Sequence, residues 1–167
     1  MWLHPDLTLT HITHLLLADL TRWQVKGLLM DLDNTLMPSH SGKVPPEIAA
    51  WLDAMHGDGI QMAVVSNNKN LVYTEHAAKI LNLPVVAHAQ KPRRAGFHQA
   101  LRILQLAPAQ VAVIGDRPLT DIWGGMRLGA KTVLVRSLSA ETEPRIFTLC
   151  RAIERLSLKP ATLRHDL

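Results

Sequence analysis

The chain has 167 residues, 47% of them apolar and 19% charged, a balance that fits one globular domain and excludes a disordered or collagen-like chain. Its 18 Lys and Arg against 14 Asp and Glu give a net charge of +4, and the lone cysteine, Cys150, excludes an internal disulfide and leaves too few thiols for a structural zinc. No apolar run has the length of a membrane span and no basic residue leads an apolar stretch near the start, so the expectation is a cytoplasmic protein without a secretory signal.

Residues 8–23 place Ile12, Leu15, Leu16, Leu20 and Trp23 on one stripe, which predicts a helix covering the core. Residues 25–30 predict a buried strand. Pro45-Pro46-Glu47 opens a helix that runs through Trp51, Leu52 and Met55 to Gly57. A second strand is expected over 60–65, a helix over 70–81, and a weaker strand over 85–87 after Pro84. A helix over 94–106 carries Phe97, Leu101 and Leu104 on one face. Residues 111–114 predict a fourth strand, 119–128 a helix stopped by Gly129, and 132–135 a fifth strand. A last helix, over 144–157, aligns Ile146, Leu149, Cys150, Ile153 and Leu156, and the chain is expected to fray from about Lys159. Apolar strands separated by single helices predict an α/β fold: a doubly wound, Rossmann-like parallel sheet of about five strands with helices on both faces. One domain is expected over 1–167, with its core at 25–136 and flanking helices at 8–23 and 144–157.

Charge is unevenly spread. Residues 1–83 hold 5 basic and 8 acidic side chains, a net of −3, while residues 84–167 hold 13 and 6, a net of +7. A basic half suits an anionic partner such as a phosphate ester or a membrane surface. The basic residues are dispersed, with no run longer than Arg93-Arg94, and aromatics are 4%, so specific nucleic-acid binding is not expected.

Ligands of such sheets bind beyond the carboxyl ends of the strands. The first strand is followed by Asp31-Leu32-Asp33-Asn34-Thr35, the second by Ser66-Asn67-Asn68, the third by Gln90-Lys91-Pro92, and the fourth by Gly115-Asp116 and, further on, Asp121. Each is ordinary alone: a turn, a helix cap, a surface lysine, a surface acid. Together they bring four carboxylates to one rim, which would repel one another unless a cation sat among them. Hard oxygen donors without His or Cys point to Mg²⁺, and a hydroxyl and a lysine beside it complete a pocket for a phosphate dianion.

These motifs, in this order, resemble the haloacid dehalogenase-like (HAD) phosphohydrolase superfamily, over roughly residues 25–136. Asp31-Leu32-Asp33-Asn34-Thr35-Leu36, Ser66-Asn67-Asn68, Lys91-Pro92 and Gly115-Asp116 through Asp121 and Gly124-Gly125 are more narrowly similar to its capless subfamily IIIA, of YqeG type, beside the phosphatidylglycerophosphate phosphatases. The resemblance implies a Mg²⁺-dependent phosphate monoester hydrolase. Asp31 would be the nucleophile that forms an aspartyl-phosphate, and Asp33 the general acid and base. Mg²⁺ would be held by Asp31, the Asp33 carbonyl and Asp116. Ser66, Asn67 and Lys91 would bind phosphate at a helix N-terminus, and Asp121 would orient Lys91 or a metal-bound water. Asn34 and Thr35 are expected to brace the loop. Two other classes share parts of this pattern: a receiver-like phospho-switch and a scaffold that keeps an idle site. Receivers place the phosphoacceptor after the third strand, where this chain has no acid.

Many relatives carry an inserted cap domain. Here Asp33 and Ser66 are 33 positions apart, and Ser66 and Lys91 are 25, room for only one helix and one strand each. The site is therefore expected to be open and able to take a phosphate on something large. The subfamily resemblance favours phosphatidylglycerophosphate at an anionic membrane surface, reached by peripheral association; a protein, nucleotide or sugar phosphate is the alternative.

Overall fold

The computed structural model describes residues 3–139, so the helix expected over 144–157 and the fraying past it lie outside the described residues. Six strands, β1 (Leu7–Leu9), β2 (Gly27–Met30), β3 (Gln61–Val65), β4 (Val85–Val86), β5 (Val111–Gly115) and β6 (Lys131–Val135), form one sheet. All neighbours run parallel, in the order β1-β6-β5-β2-β3-β4. β2 is flanked on both sides, with Met30 opposite Val64 of β3 and Ile114 of β5. All four of its residues are buried, which is why its sequence shows no polar alternation.

Parallel neighbours need crossovers, and four helices supply them: α2 (Pro46–Gly57), α3 (Leu71–Leu81), α4 (Arg94–Leu104) and α5 (Trp123–Leu128). Side chains alternate along β2, so Leu28 and Met30 face one layer and Leu29 the other. The first layer joins them to Ile48, Trp51, Leu52 and Met55 of α2 and to Ala77 and Leu81 of α3. The second joins Leu29 to Phe97, Ala100, Leu101 and Leu104 of α4 and to Leu128 of α5. Helices thus cover both faces, and β5, β2 and β3 end side by side on one edge.

Two expectations change. The helix over 8–23 is replaced by β1, a 3₁₀ turn at Ile12–His14 and a short helix, α1 (Leu17–Arg22), so the sheet has six strands and not about five. The cause is a distant partner. β1 aligns Leu7 with Val133 and Leu9 with Val135, and the Asp6 carboxylate accepts from Thr132 N–H at 2.9 Å and meets Lys131 Nζ at 2.8 Å. Ile12, Leu15 and Leu20 still point inward, whereas Leu16 is exposed. The helix expected over 119–128 is preceded by a π-helical turn, Pro118–Ile122, in which Trp123 N–H bonds back to Pro118. Such turns are rare and concentrate at functional sites.

Candidate active site

Asp31 continues the β2 ladder by one step, its N–H donating to Ile114 O at 2.9 Å. That fixes where its carboxyl begins. Asn34 then turns left-handed (φ 65°), and its N–H closes on Met37 O at 2.7 Å. Its side-chain oxygen accepts from Ser39 N–H at 3.0 Å and Ser139 Oγ at 2.6 Å, which ties the loop to the chain after β6. Thr35 is buried in the same loop.

Lys91 arrives from beyond β4. Asn67 holds its backbone at both ends, accepting from Lys91 N–H at 2.6 Å and donating to Lys91 O at 3.1 Å. The ammonium then lies 2.6 Å from Asp31 Oδ1 and 2.7 Å from Asp121 Oδ1. The π-helical turn brings Asp121 inward, and its other oxygen accepts from Arg117 N–H at 3.1 Å. Gly115 makes room for it: a Cβ there would lie 2.3 Å from Asp121 Cγ. Burial pushes the Asp31 carboxyl up to about 6 although the Lys91 charge opposes it. Burial alone would lower Lys91, but Asp121 and Asp31 outweigh it and hold the ammonium above the usual lysine range. The Asp31–Lys91 pair is therefore ionic at neutral pH.

Carboxylate oxygens of Asp31, Asp116 and Asp121 lie within 4.8 Å of one another. Three carboxylates against one ammonium sum to −2, and an all-oxygen donor set of that charge fits a hard divalent cation. The Asp33 carboxylate is not part of this group. It turns to α3, where Oδ1 accepts from Tyr73 Oη at 2.8 Å and Oδ2 from Asn68 Nδ2 at 3.2 Å. Burial, and then this bond to Asp33, push ionisation of the Tyr73 phenol far up.

Ser66 is buried, and its hydroxyl accepts from Asn68 N–H at 3.1 Å. It does not stand at the helix N-terminus expected for it, because Asn70 caps α3 through Tyr73 N–H at 3.1 Å. Asn67 spends its amide on Lys91. Tyr73 and the Asn68 amide are contacts that sequence reasoning missed. Asn68 belongs to the Ser66-Asn67-Asn68 motif; for Tyr73 the sequence signal is its place in the first turn of a helix leaving the site edge. Between Asp33 and Ser66 the chain forms a loop and α2 before β3, and between Ser66 and Lys91 it forms α3 and β4, so neither segment holds a cap.

The HAD-hydrolase-like family matches residues 88–161. The chain is 34% identical over 151 residues to the probable phosphatase YqeG of Bacillus subtilis, spanning 90% of this chain and 87% of that one. The chain belongs to the haloacid dehalogenase-like hydrolases. Within that family it is a phosphatase, and it has plant-type relatives as well. It is 31% identical to the chloroplastic phosphatidylglycerophosphate phosphatase 1 of Chlamydomonas reinhardtii, over 90% of this chain but 59% of that one. The fold of this phosphatase is similar to that of the deoxy-D-mannose-octulosonate 8-phosphate phosphatase of Haemophilus influenzae, solved with cobalt bound. The TM-score is 0.56 at 13% identity, over 77% of this chain and 75% of that one. Among the described residues, no helix is long and apolar enough to cross a membrane.

Proposed function

We propose that this phosphatase hydrolyses phosphate monoesters through an aspartyl-phosphate on Asp31, with Asp33 as general acid and base and Mg²⁺ as its cation. The observation that supports this most is the Lys91 ammonium seated between Asp31 and Asp121, within a group of three converging carboxylates. An Asp31 oxygen attacks phosphorus, and the ester P–O bond breaks. Asp33 gives its proton to the leaving oxygen. Water then attacks the aspartyl-phosphate while Asp33 takes a proton from it, and phosphate leaves. Asp31, Asp116 and the Asp33 carbonyl would hold Mg²⁺, which when bound neutralises charge on the phosphoryl oxygens. Lys91 adds a second positive charge, aimed by Asp121. The Ser66 hydroxyl and the Asn67 backbone N–H receive phosphate oxygens.

For the substrate we propose phosphatidylglycerophosphate, met at an anionic membrane surface. The absence of an inserted domain leaves the rim open to a headgroup in a bilayer. Leu71 and Val72 are 62% and 78% exposed, just before the Tyr73 that touches Asp33; Lys69, two residues earlier, is exposed, and so are Arg93 and Arg94 at the start of α4. Apolar tips beside basic groups suit a lipid interface.

The test of the chemistry uses Asp33→Asn with Mg²⁺ and a ³²P-labelled phosphate monoester of a good leaving group. Label should accumulate on Asp31, because the base that activates water is gone. Label on Asp116, or label that persists for minutes on the wild-type protein, would instead make it a receiver-like switch.

A further inference from the structure

We infer that Tyr73 is a positioning residue for Asp33: its hydroxyl, reaching in from the first turn of α3, aims the carboxyl that protonates the leaving group. The inference rests on the reading of Asp33 as general acid. A carboxyl two residues past the nucleophile can rotate about two side-chain bonds, and proton delivery needs one direction. Tyr73 Oη at 2.8 Å secures Oδ1, and Asn68 Nδ2 at 3.2 Å meets Oδ2. The shorter bond marks Oδ1 as the anchored oxygen. Oδ2, on the longer one, is the oxygen that exchanges its partner for the substrate.

Tyr73 is itself held. Its N–H donates to the Asn70 cap at 3.1 Å, and its ring lies against His40 with centroids 6.0 Å apart. Asn68 is fixed likewise, its N–H donating to Ser66 Oγ and its Oδ1 accepting from Asn70 N–H at 2.9 Å. One turn of chain thus links the Ser66 hydroxyl, which the proposed reaction uses to bind phosphate, to the direction of the acid.

The step in question forms the Asp31 O–P bond, breaks the ester P–O bond and moves the Asp33 proton onto the departing oxygen. A stable leaving anion needs that proton little; a basic one needs it much. Tyr73→Phe keeps the ring and removes only the hydroxyl, so it is compared with wild type on p-nitrophenyl phosphate and phenyl phosphate. kcat/KM reports the first transfer. It should fall about 10-fold for phenyl phosphate, the scale of one hydrogen bond to a charged group, and about 2-fold or less for p-nitrophenyl phosphate. The ratio of the two substrates cancels any loss of folded enzyme. An equal loss on both, or no loss on either, would overturn the positioning role. Asp33→Asn separates this from the underlying reading. It should show a larger version of the same selective loss, and if it treats both substrates as the wild type does, Asp33 is not the acid.

Discussion

Lys91 is a buried cation whose partners are both acids, and that pairing makes its removal costly. In Lys91→Ala, Asp31 and Asp121 would face each other without the ammonium, so stability should fall by about 3–5 kcal/mol in urea unfolding without Mg²⁺. Asp31→Asn has the opposite profile. The amide fills the same space and still accepts from Lys91, so the thermal midpoint should stay close to wild type while Mg²⁺-dependent turnover drops by at least about 10³-fold. Wild-type-like hydrolysis by that variant would show that Asp31 is not the nucleophile. Mg²⁺ should raise the wild-type melting temperature by mass action, and Asp116→Asn should remove most of that rise. Asp31, Asp33, Ser66, Lys91 and Asp116 were legible as candidates because each follows a strand end or a short turn past one, where a parallel sheet gathers its ligands. The hydroxyl of Tyr73 was not legible, since which side chain in the first turn of a helix faces the sheet edge depends on how the helix is rotated in its layer.

At the scale of elements, the β5 end and the π-helical turn are fitted to each other. Gly115→Ala would drive a methyl into Asp121, so it should cost about 1–3 kcal/mol in stability and lower activity as Lys91 loses its aim. The 3₁₀ turn before α1 makes a different prediction. His11 Nδ1 accepts from Thr13 N–H at 3.4 Å and pairs with Thr13 Oγ1 at 2.8 Å. Burial, and then nearby His14, lower its pKa from the usual histidine value. The folded state therefore keeps it neutral where the unfolded chain takes up a proton. Its contribution is full above the unfolded value of about 6.5 and is lost as pH falls from there through the lowered folded value. His11→Asn keeps an acceptor without titrating, so the variant should lose less stability than wild type between pH 7 and pH 5; an identical slope in urea unfolding would refute this. Strands β2, β3 and β5 were legible because burial on both faces makes them continuous apolar runs. β1 was not, because three residues show too little alternation to compete with the helical stripe beside them.

For the whole molecule, the open rim and the basic second half bear on the substrate. Phosphatidylglycerophosphate in anionic vesicles should be hydrolysed faster than small soluble monoesters, and added salt should depress the vesicle reaction more, since the attraction decays over roughly 8 Å at physiological ionic strength. Replacing exposed Arg93 and Arg94 with Ala should weaken the vesicle reaction and leave p-nitrophenyl phosphate nearly unaffected. Equal efficiency on a sugar phosphate, with no vesicle preference, would remove the lipid assignment and leave the phosphatase. The doubly wound layout was legible as a whole, since alternating strands and helices admit few other arrangements; the additional strand β1 was not, because its pairing with β6 spans nearly the described chain. That pairing also sets an order of events during synthesis. Thr8 of β1 lies opposite Leu134 of β6, so among the described strands the first to leave the ribosome lacks its neighbour until the last one follows. At about 5–20 residues per second, that wait is on the order of ten seconds. During it β2, β3, β4 and β5 can pair in turn as they emerge, while Leu7 and Leu9 await their partner strand, and the Asp6 contacts with Lys131 and Thr132 form after them.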